Sequence, residues 1–339
     1  MPEDSIEHVN FDELEKKAVS PPLVRHMYTA DPSAHVFDGK IYIYPSHDID
    51  AGVPFDDLGS HFAMEDYHVF SMDNPGAAVT DNGVALHIND IPWAEKQLWA
   101  PDAAYKNGKY YLYFPAKRAD GIFQIGVAVS NSPVGPFAPE NKPINNSYSI
   151  DPAVFIDDDG AAYIYFGGLW GGQLQSYRNN IYSESNSEPL PAARALGPRV
   201  ARLTADMLQF DEEVKEIIIT DETGGFIVSG DNERRFFEAS WMHKYKGKYY
   251  FSYSTGDTHF ICYATGTSPY GPFEYKGKIL EPVVGWTSHH SICAYEGTWY
   301  LFYHDSSLSR GITHLRSIKV IPLHYHDDGR IETIYPYGR

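Results

Sequence analysis

The chain has 339 residues and a formal net charge of −18, from 27 Lys plus Arg against 45 Asp plus Glu. This length predicts one domain with a single large core. The negative charge argues against nucleic acid and anionic membrane surfaces as partners, because both would be repelled. No stretch reaches the roughly 20 apolar residues of a membrane span. Two cysteines are too few for a disulfide framework.

The first residues, MPEDSIEHVNFDELEKK, are acidic, whereas a secretory signal begins with basic residues followed by an apolar run. We therefore predict a cytoplasmic protein, with secretion as the alternative if a signal segment has been removed. Residues 1–27 are predicted to be a lead-in to the fold. The oligomeric state is left open, a homo-oligomer being one alternative.

One short phrase recurs five times along the chain, and each copy is a glycine turn followed by an alternating aromatic and aliphatic strand. The copies are DGKIYIYPS at 38–46, NGKYYLYFP at 107–115, DGAAYIYFG at 159–167, KGKYYFSYS at 246–254 and EGTWYLFYH at 296–304. Another short apolar alternation precedes each turn. The pattern predicts five β-hairpins with tight turns.

The spacing of these hairpins predicts the architecture. Dividing 339 residues by five gives about 68, the length of a four-stranded blade with its loops. We predict an all-β protein, a single five-bladed β-propeller over residues 1–339, because a two-sheet sandwich gives no reason for five similar hairpins. Residues 170–235 are predicted to be a long insertion between blades.

The residues that open the five hairpins are mostly acidic. They are Asp31, Asp102, Asp151, Glu238 and His289. The first strands of propeller blades line the central channel, so these positions should converge at one mouth. Asp-Pro and Pro-Asp also open turns, which is the alternative for each aspartate alone, but it does not explain Glu238 in RRFFEASW. We interpret Asp102 as structural and expect Trp99 in the pocket wall.

Five phrases together resemble glycoside hydrolase family 43, from about Tyr28 to the C-terminus. They are YTADPSAHVFDGKIYIYPSHD, WAPDAAYKNGKYYLYF, SIDPAVFIDDDGAAYIYFGG, FFEASWMHKYKGKYYFSYS and HHSICAYEGTWYLFYH. The resemblance implies a five-bladed propeller that hydrolyses xylose- or arabinose-containing glycans with inversion of configuration.

The resemblance also implies residue roles. The general base falls on Asp31, the general acid on Glu238, and the aspartate that adjusts the pKa of the acid on Asp151. Arg316 resembles the family's substrate-contacting arginine, and Phe237 is expected beside the substrate. An inverting enzyme needs one ionised and one protonated carboxyl, which this division supplies.

The resemblance further implies a hydrated divalent cation, Ca²⁺, in the central channel, where it modulates activity and takes no part in bond making. In the motif SHHS the family's histidine-x-serine pattern falls on His289, with His290 as the alternative ligand. A buried histidine that only forms hydrogen bonds is the other interpretation.

We therefore expect an exo-glycosidase, a hydrolase that releases terminal xylose from β-1,4-xylo-oligosaccharides, with α-L-arabinofuranosidase activity beside it. A dedicated α-L-arabinofuranosidase acting on arabinoxylan fragments is the first alternative, because the motifs do not separate the two sugars. A propeller that binds sugar without cleaving it is the second.

Overall fold

The computed structural model describes residues 9–338 and is almost entirely β. Its α-helix, α1, spans Phe11–Lys17, and Asn10 caps the N-terminus by accepting a hydrogen bond from the Glu13 amide. Short 3₁₀ turns occupy Ile88–Asp90, Trp170–Gly172 and Leu174–Ser176. No helix among residues 9–338 is long and apolar enough to span a bilayer.

The strands form five successive sheets around a central axis, which confirms the predicted five-bladed propeller. The first sheet contains β1 (Tyr28–Phe37), β2 (Lys40–Asp48), β3 (Asp66–Met72) and β4 (Thr80–His87). The second contains β5 (Asp102–Lys106), β6 (Lys109–Lys117), β7 (Phe123–Ser130) and β8 (Ala138–Pro139).

The third sheet begins with β9 (Ala153–Ile156) and β10 (Ala162–Phe166), continues past the small hairpin of β11 (Tyr177–Arg178) and β12 (Ile181–Tyr182), and ends with β13 (Arg199–Arg202) and β14 (Lys215–Glu216). The fourth contains β15 (Ile219–Thr220), β16 (Glu238–Tyr245), β17 (Lys248–Ser254), β18 (Ile261–Gly266) and β19 (Phe273–Leu280), with β15 parallel to β19. The fifth contains β20 (His290–Tyr295), β21 (Thr298–Asp305) and β22 (Ser317–Leu323).

All five predicted hairpins are present, and their turns explain the glycines. In four of them the two turn residues both have positive φ, as in Asp38 (49°) and Gly39 (77°). This is the type I′ geometry that matches the twist of paired strands and favours glycine. The third hairpin differs, because its turn closes through hydrogen bonds from the Gly160 amide to the Asp157 carbonyl and from the Asp157 amide to the Ala161 carbonyl.

The predicted insertion at 170–235 differs from the structure, because residues 199–216 supply the two outer strands of the third blade. These strands are short, and β14 has only two residues, so no alternation marks them in the sequence. Residues 170–198, including 183–198, connect β10 to β13 within the third blade, and residues 217–235 lead into the fourth blade and contain its short strand β15.

The N-terminal segment closes the ring. The predicted lead-in covers residues 1–27, of which 1–8 lie outside the described residues. Within it, the Leu23 amide donates to the Ile318 carbonyl at 2.8 Å, and the Ser20 hydroxyl donates to the Val320 carbonyl at 2.7 Å. Both carbonyls belong to β22, so this segment extends the three-stranded fifth blade and joins it to the start of the first.

The core lies between the blades and is rich in aromatic side chains. One cluster joins the second to fifth blades, a second lies between the first and second, and a third between the first and fifth. The innermost strands β1, β5, β9, β16 and β20 contact one another in a closed ring. This ring fixes where the head of each first strand points.

Candidate active site

A cavity of about 750 Å³, counting its open mouth, lies where the heads of the inner strands meet. All seven of the predicted catalytic, substrate-binding and metal residues line it: Asp31, Trp99, Asp151, Phe237, Glu238, His289 and Arg316. Asp102 does not. It is buried, accepts hydrogen bonds from His35 at 2.7 Å and from the Val154 amide at 2.5 Å, and so connects three neighbouring blades.

Irregular backbone turns the carboxyl groups toward the cavity. Asp31 and Asp151 adopt positive φ values of 49° and 57°, and Ala239, directly after Glu238, has 62°. The β1–β2 and β16–β17 ladders each shift register at these points. Such left-handed conformations are costly for residues other than glycine and persist where the surroundings fix them. Here the Ala239 amide donates to Asp151 Oδ2 at 2.8 Å, which ties two of these positions together.

Asp31 is held as a carboxylate. Its Oδ1 accepts from Arg316 Nη1 at 2.9 Å, and its Oδ2 accepts from the Ser46 hydroxyl at 2.7 Å. Burial acts to raise the pKa of Asp31, but the Arg316 guanidinium opposes it and, with the Ser46 hydroxyl, lowers the pKa to about 2. Asp31 is therefore ionised throughout the neutral range.

Arg316 is fixed by a second buried carboxylate, Asp48. The guanidinium donates to Asp48 from Nε at 2.8 Å and from Nη2 at 2.7 Å, and the Arg316 amide adds a third bond at 2.9 Å. Its guanidinium carbon lies 4.8 Å from the centroid of the Phe62 ring. Bidentate pairing and ring stacking define the orientation of the arginine. Asp48, at the end of the first hairpin, is not predicted by the sequence.

Asp151 and Glu238 are carboxyl groups of the pocket that keep their protons. Burial raises the pKa of Glu238 to about 8, and the charge of Asp31 adds to this effect. Burial also raises the pKa of Asp151 well above its ordinary value, and repulsion from Glu238 and Asp31 reinforces the shift. These carboxyls cannot both ionise cheaply beside Asp31, so they titrate as an interacting pair. The negative charge that raises the pKa of Glu238 thus comes mainly from Asp31, whereas the family resemblance implies Asp151 as its source.

The adjacent histidines 289 and 290 occupy different environments. His289 lies in the cavity with Nδ1 3.6 Å from Asp31 Oδ1 and 3.9 Å from Asp151 Oδ2, and it forms no hydrogen bond to any described residue. Burial lowers its pKa to about 4, which leaves it neutral at pH 7. His290 is buried away from the cavity, with Nε2 2.6 Å from the Ser252 hydroxyl.

A third histidine, His304, supports Asp31 from behind, and the sequence does not predict it. Its Nδ1 accepts from the Asp31 amide at 3.0 Å, so the ring proton sits on Nε2 and donates to the Thr287 carbonyl at 3.1 Å. The side chain is fully buried. The one signal in the sequence is its place in FYHD, at the end of the fifth hairpin, close to the position of Asp48 in the first.

Six aromatic side chains line the cavity. They are Phe55, Phe62, Trp99, Trp170, Phe237 and Trp286. The ring centroids of Trp170 and Trp286 are 5.6 Å apart, and those of Phe237 and Trp286 are also 5.6 Å apart. The Trp170 indole donates to Glu188 Oε1 at 2.7 Å. Trp170 and Trp286 lie between the strands of the hairpins, and the hairpin pattern alone does not identify them.

One side of the cavity is closed by contact between two loops. A Cβ on Gly171 would lie 2.5 Å from the carbonyl oxygen of Leu58, so the turn at 170–172 lies directly against the segment at 58. A Cβ on Gly59 would lie 2.9 Å from the Trp99 ring. The cavity is therefore a pocket with one closed side. Its aromatic rings lie around one ionised carboxylate, Asp31, and two protonated carboxyls, Asp151 and Glu238.

Comparison with known proteins agrees with this geometry. Xylosidase/arabinosidase 43A of Humicola insolens is 62% identical over 324 residues, which cover 93% of this chain and 99% of that protein. A solved β-xylosidase/α-arabinofuranosidase from a compost microbial metagenome, in complex with xylotriose in a calcium-free form, is 65% identical with a TM-score of 0.93, covering 94% of this chain and 98% of that one. The GH43_1 enzyme of Xanthomonas citri complexed with xylotriose is 62% identical with a TM-score of 0.93, covering 97% of each chain.

The sequence pattern of Glycosyl hydrolases family 43 matches residues 20–331. This span contains all five blades and every residue that lines the cavity. The resemblance seen in the hairpin motifs is confirmed, and the chain belongs to glycosyl hydrolase family 43.

Proposed function

We propose that this protein is an inverting exo-glycosidase that releases terminal xylose from β-1,4-xylo-oligosaccharides and also cleaves α-L-arabinofuranosides. The observation that carries the proposal is the pairing of an ionised Asp31 with a protonated Glu238 in one pocket. Relatives that are 57–62% identical are named xylosidase/arabinosidase or β-xylosidase, and the similar solved structures contain xylotriose.

In the proposed reaction Asp31 acts as the general base. It takes a proton from a water molecule as the water oxygen forms a bond to the anomeric carbon. Glu238 gives its proton to the glycosidic oxygen as the bond from that oxygen to the anomeric carbon breaks. Attack and departure occur on opposite faces of the sugar, so the product has inverted configuration. One proton is gained and one is lost by the protein, and bulk water restores both.

Asp151 and Arg316 are assigned supporting roles. Asp151 shares the buried region with Glu238, so its carboxyl influences when Glu238 releases its proton. Arg316 keeps Asp31 ionised and is held by Asp48 in one orientation. Both residues line the pocket and can also contact sugar hydroxyls.

The closed side of the pocket supports exo cleavage over endo cleavage. An endo-acting enzyme needs a groove open at both ends so that the chain can extend past the site. Here the contact between Gly171 and the Leu58 carbonyl blocks one side, and Trp170 and Trp286 lie beside it. A terminal sugar packed against these rings would bury its apolar face. This arrangement fits one sugar at the closed end.

A hydrated divalent cation, Ca²⁺, is proposed next to His289. This side chain faces the pocket and forms no hydrogen bond to any described residue, so it fits a ligand bound through a ring nitrogen. Calcium prefers oxygen ligands, so water would supply most of its coordination. Bound there, the cation would supply positive charge close to the carboxyls of Asp31 and Asp151. Bond making stays with the carboxyls.

A panel of nitrophenyl glycosides tests the proposal, assayed with and without prior chelation and with Ca²⁺ added back. We expect hydrolysis of the β-xyloside and of the α-arabinofuranoside, and a fall in kcat on chelation that Ca²⁺ reverses. The His289→Ala variant should not respond to Ca²⁺, whereas His290→Ala should respond.

Activity on the arabinofuranoside alone would make the enzyme a dedicated α-L-arabinofuranosidase. Sugar binding without any hydrolysis would contradict the catalytic assignment. Indifference of the wild-type enzyme to both chelator and Ca²⁺ would remove the cation from the proposal and leave the carboxyl assignments intact.

A further inference from the structure

The first blade carries a cluster of metal-binding side chains outside the pocket. His47 lies near the end of β2, and Asp66 and His68 lie on the neighbouring strand β3. One donor atom from each lies within 4.8 Å of the others, and within residues 9–338 no other three His, Cys, Asp or Glu side chains are grouped this closely. Their side chains are 13–20% exposed, so a solvated ion can reach them.

His68 keeps one ring nitrogen available for a ligand. Its Nδ1 lies 2.9 Å from Asp81 Oδ1, and Asp81 Oδ2 lies 2.9 Å from His26 Nε2. A carboxylate only accepts hydrogen bonds, so the His68 proton sits on Nδ1 and Nε2 keeps its lone pair. Among the described residues that Nε2 has no hydrogen-bond partner. A carboxylate behind a histidine is the usual means of fixing the ring of a metal-binding histidine.

His47 and Asp66 form the other half of the cluster. His47 Nδ1 lies 2.5 Å from Asp66 Oδ1, and the ring centroids of His47 and His68 are 5.2 Å apart. A cation that takes both atoms would replace the proton between them, because metal binding displaces protons from its ligands. With bonds of about 2 Å in tetrahedral geometry, the two atoms would separate to about 3.3 Å. Partly exposed side chains can make that adjustment.

We propose that His47, Asp66 and His68 bind a transition-metal cation, with Zn²⁺ the best fit and water as its fourth ligand. Two imidazole nitrogens and one carboxylate oxygen match the three-ligand zinc sites of proteins, whereas Ca²⁺ requires six to eight oxygen ligands. The site is distinct from the cation proposed at His289. The residue after His47 is Asp48, which binds Arg316, so a bound ion would anchor β2 beside this pair.

Zinc binding by the metal-stripped full chain tests the proposal. Titration calorimetry with ZnCl₂ in a His289→Ala background removes the pocket histidine from the measurement. We expect one equivalent of bound Zn²⁺, which the double variant His47→Gln/His68→Gln should lose. Asp81→Asn keeps all three ligands and should weaken binding about 10–100-fold. His324→Gln, an exposed histidine elsewhere, should leave the affinity unchanged.

A zinc-soaked crystal of the wild-type protein provides a readout that needs no variant. An anomalous difference peak among His47, Asp66 and His68 would support the site. Peaks only elsewhere would overturn it, as would unchanged stoichiometry in the double variant. The double variant His47→Gln/His68→Gln should still hydrolyse the β-xyloside, because none of the three residues lines the pocket. Failure of the zinc proposal therefore leaves the proposed glycosidase activity standing.

Discussion

The protonation state of Glu238 gives the sharpest test of the proposed chemistry. With a pKa of about 8, about nine-tenths of Glu238 is protonated at pH 7, whereas an ordinary glutamate would be protonated in about 0.3% of molecules. The difference corresponds to about 5 kcal/mol between the two protonation states of this fully buried group. Burial in the pocket therefore keeps Glu238 protonated at a pH at which a glutamate in water would be ionised.

Replacing Glu238 by Gln removes that proton and keeps the size of the side chain. We expect kcat/KM for xylobiose to fall by about 10²–10⁴-fold, the usual contribution of a general acid. A β-xyloside with a dinitrophenyl leaving group needs little protonation and should lose far less. For the wild type, kcat/KM should decline above about pH 8 as Glu238 ionises. The residual activity of the variant, assayed like the wild type on xylobiose, should lack this decline.

Matched measurements keep the result interpretable. Glu233→Gln makes the same change at an exposed glutamate and should leave both rates and the pH profile as in the wild type. Circular dichroism spectra of the variants should match the wild-type spectrum. Equal losses on the two substrates, or an alkaline decline that persists in Glu238→Gln, would refute the assignment of Glu238 as the acid.

Proton NMR in the first minutes of β-xyloside hydrolysis should show α-xylose, whereas initial β-xylose would require a covalent intermediate. Because the folded protein raises the pKa of Glu238 from 4.5 to about 8, stability should fall as pH rises across this range. The Tm advantage of Glu238→Gln over the wild type should therefore be larger at pH 8 than at pH 5, and a constant difference would contradict the raised pKa. Asp48→Asn leaves Arg316 only partly paired and should lower the free energy of unfolding by about 3–5 kcal/mol in denaturant titrations; a loss below about 1 kcal/mol would contradict the buried pairing. Glu188→Ala removes the acceptor that holds the Trp170 indole, so KM for xylotriose should rise several-fold; an unchanged KM would show that Trp170 does not depend on this bond.

The sequence predicts the site where the site follows the repeat. Asp31, Asp151 and Glu238 occupy equivalent positions at the heads of first strands, so aligning the hairpins is enough to bring them together. Asp48 is the last residue of the second strand β2, and His304 is the last but one of the second strand β21. Their roles depend on contacts with residues 268 and 273 positions away, Arg316 and Asp31, which no local pattern reveals.

Two other features escape sequence reasoning for different physical reasons. The strand β14 has two residues, which is too short to show an alternation, so the sequence predicts the third blade without its outer edge. Trp170 and Trp286 lie outside the five hairpins, in segments that no strand alternation marks. Loops are free to vary on a rigid scaffold, and their positions are set by tertiary contacts such as the Trp170–Glu188 bond.

The closure of the ring by residues 20–23 on β22 has a consequence for folding. The Ser20–Val320 contact joins residues 300 positions apart, so the closing segment cannot dock until nearly the whole chain has been synthesised. Each blade can pair its own strands earlier, because hairpin contacts are local. Until closure, the outer edge of β22 is unpaired, and such edges recruit strands from other chains. We therefore expect ring closure to be a late step of folding, during which the free edge of β22 favours aggregation.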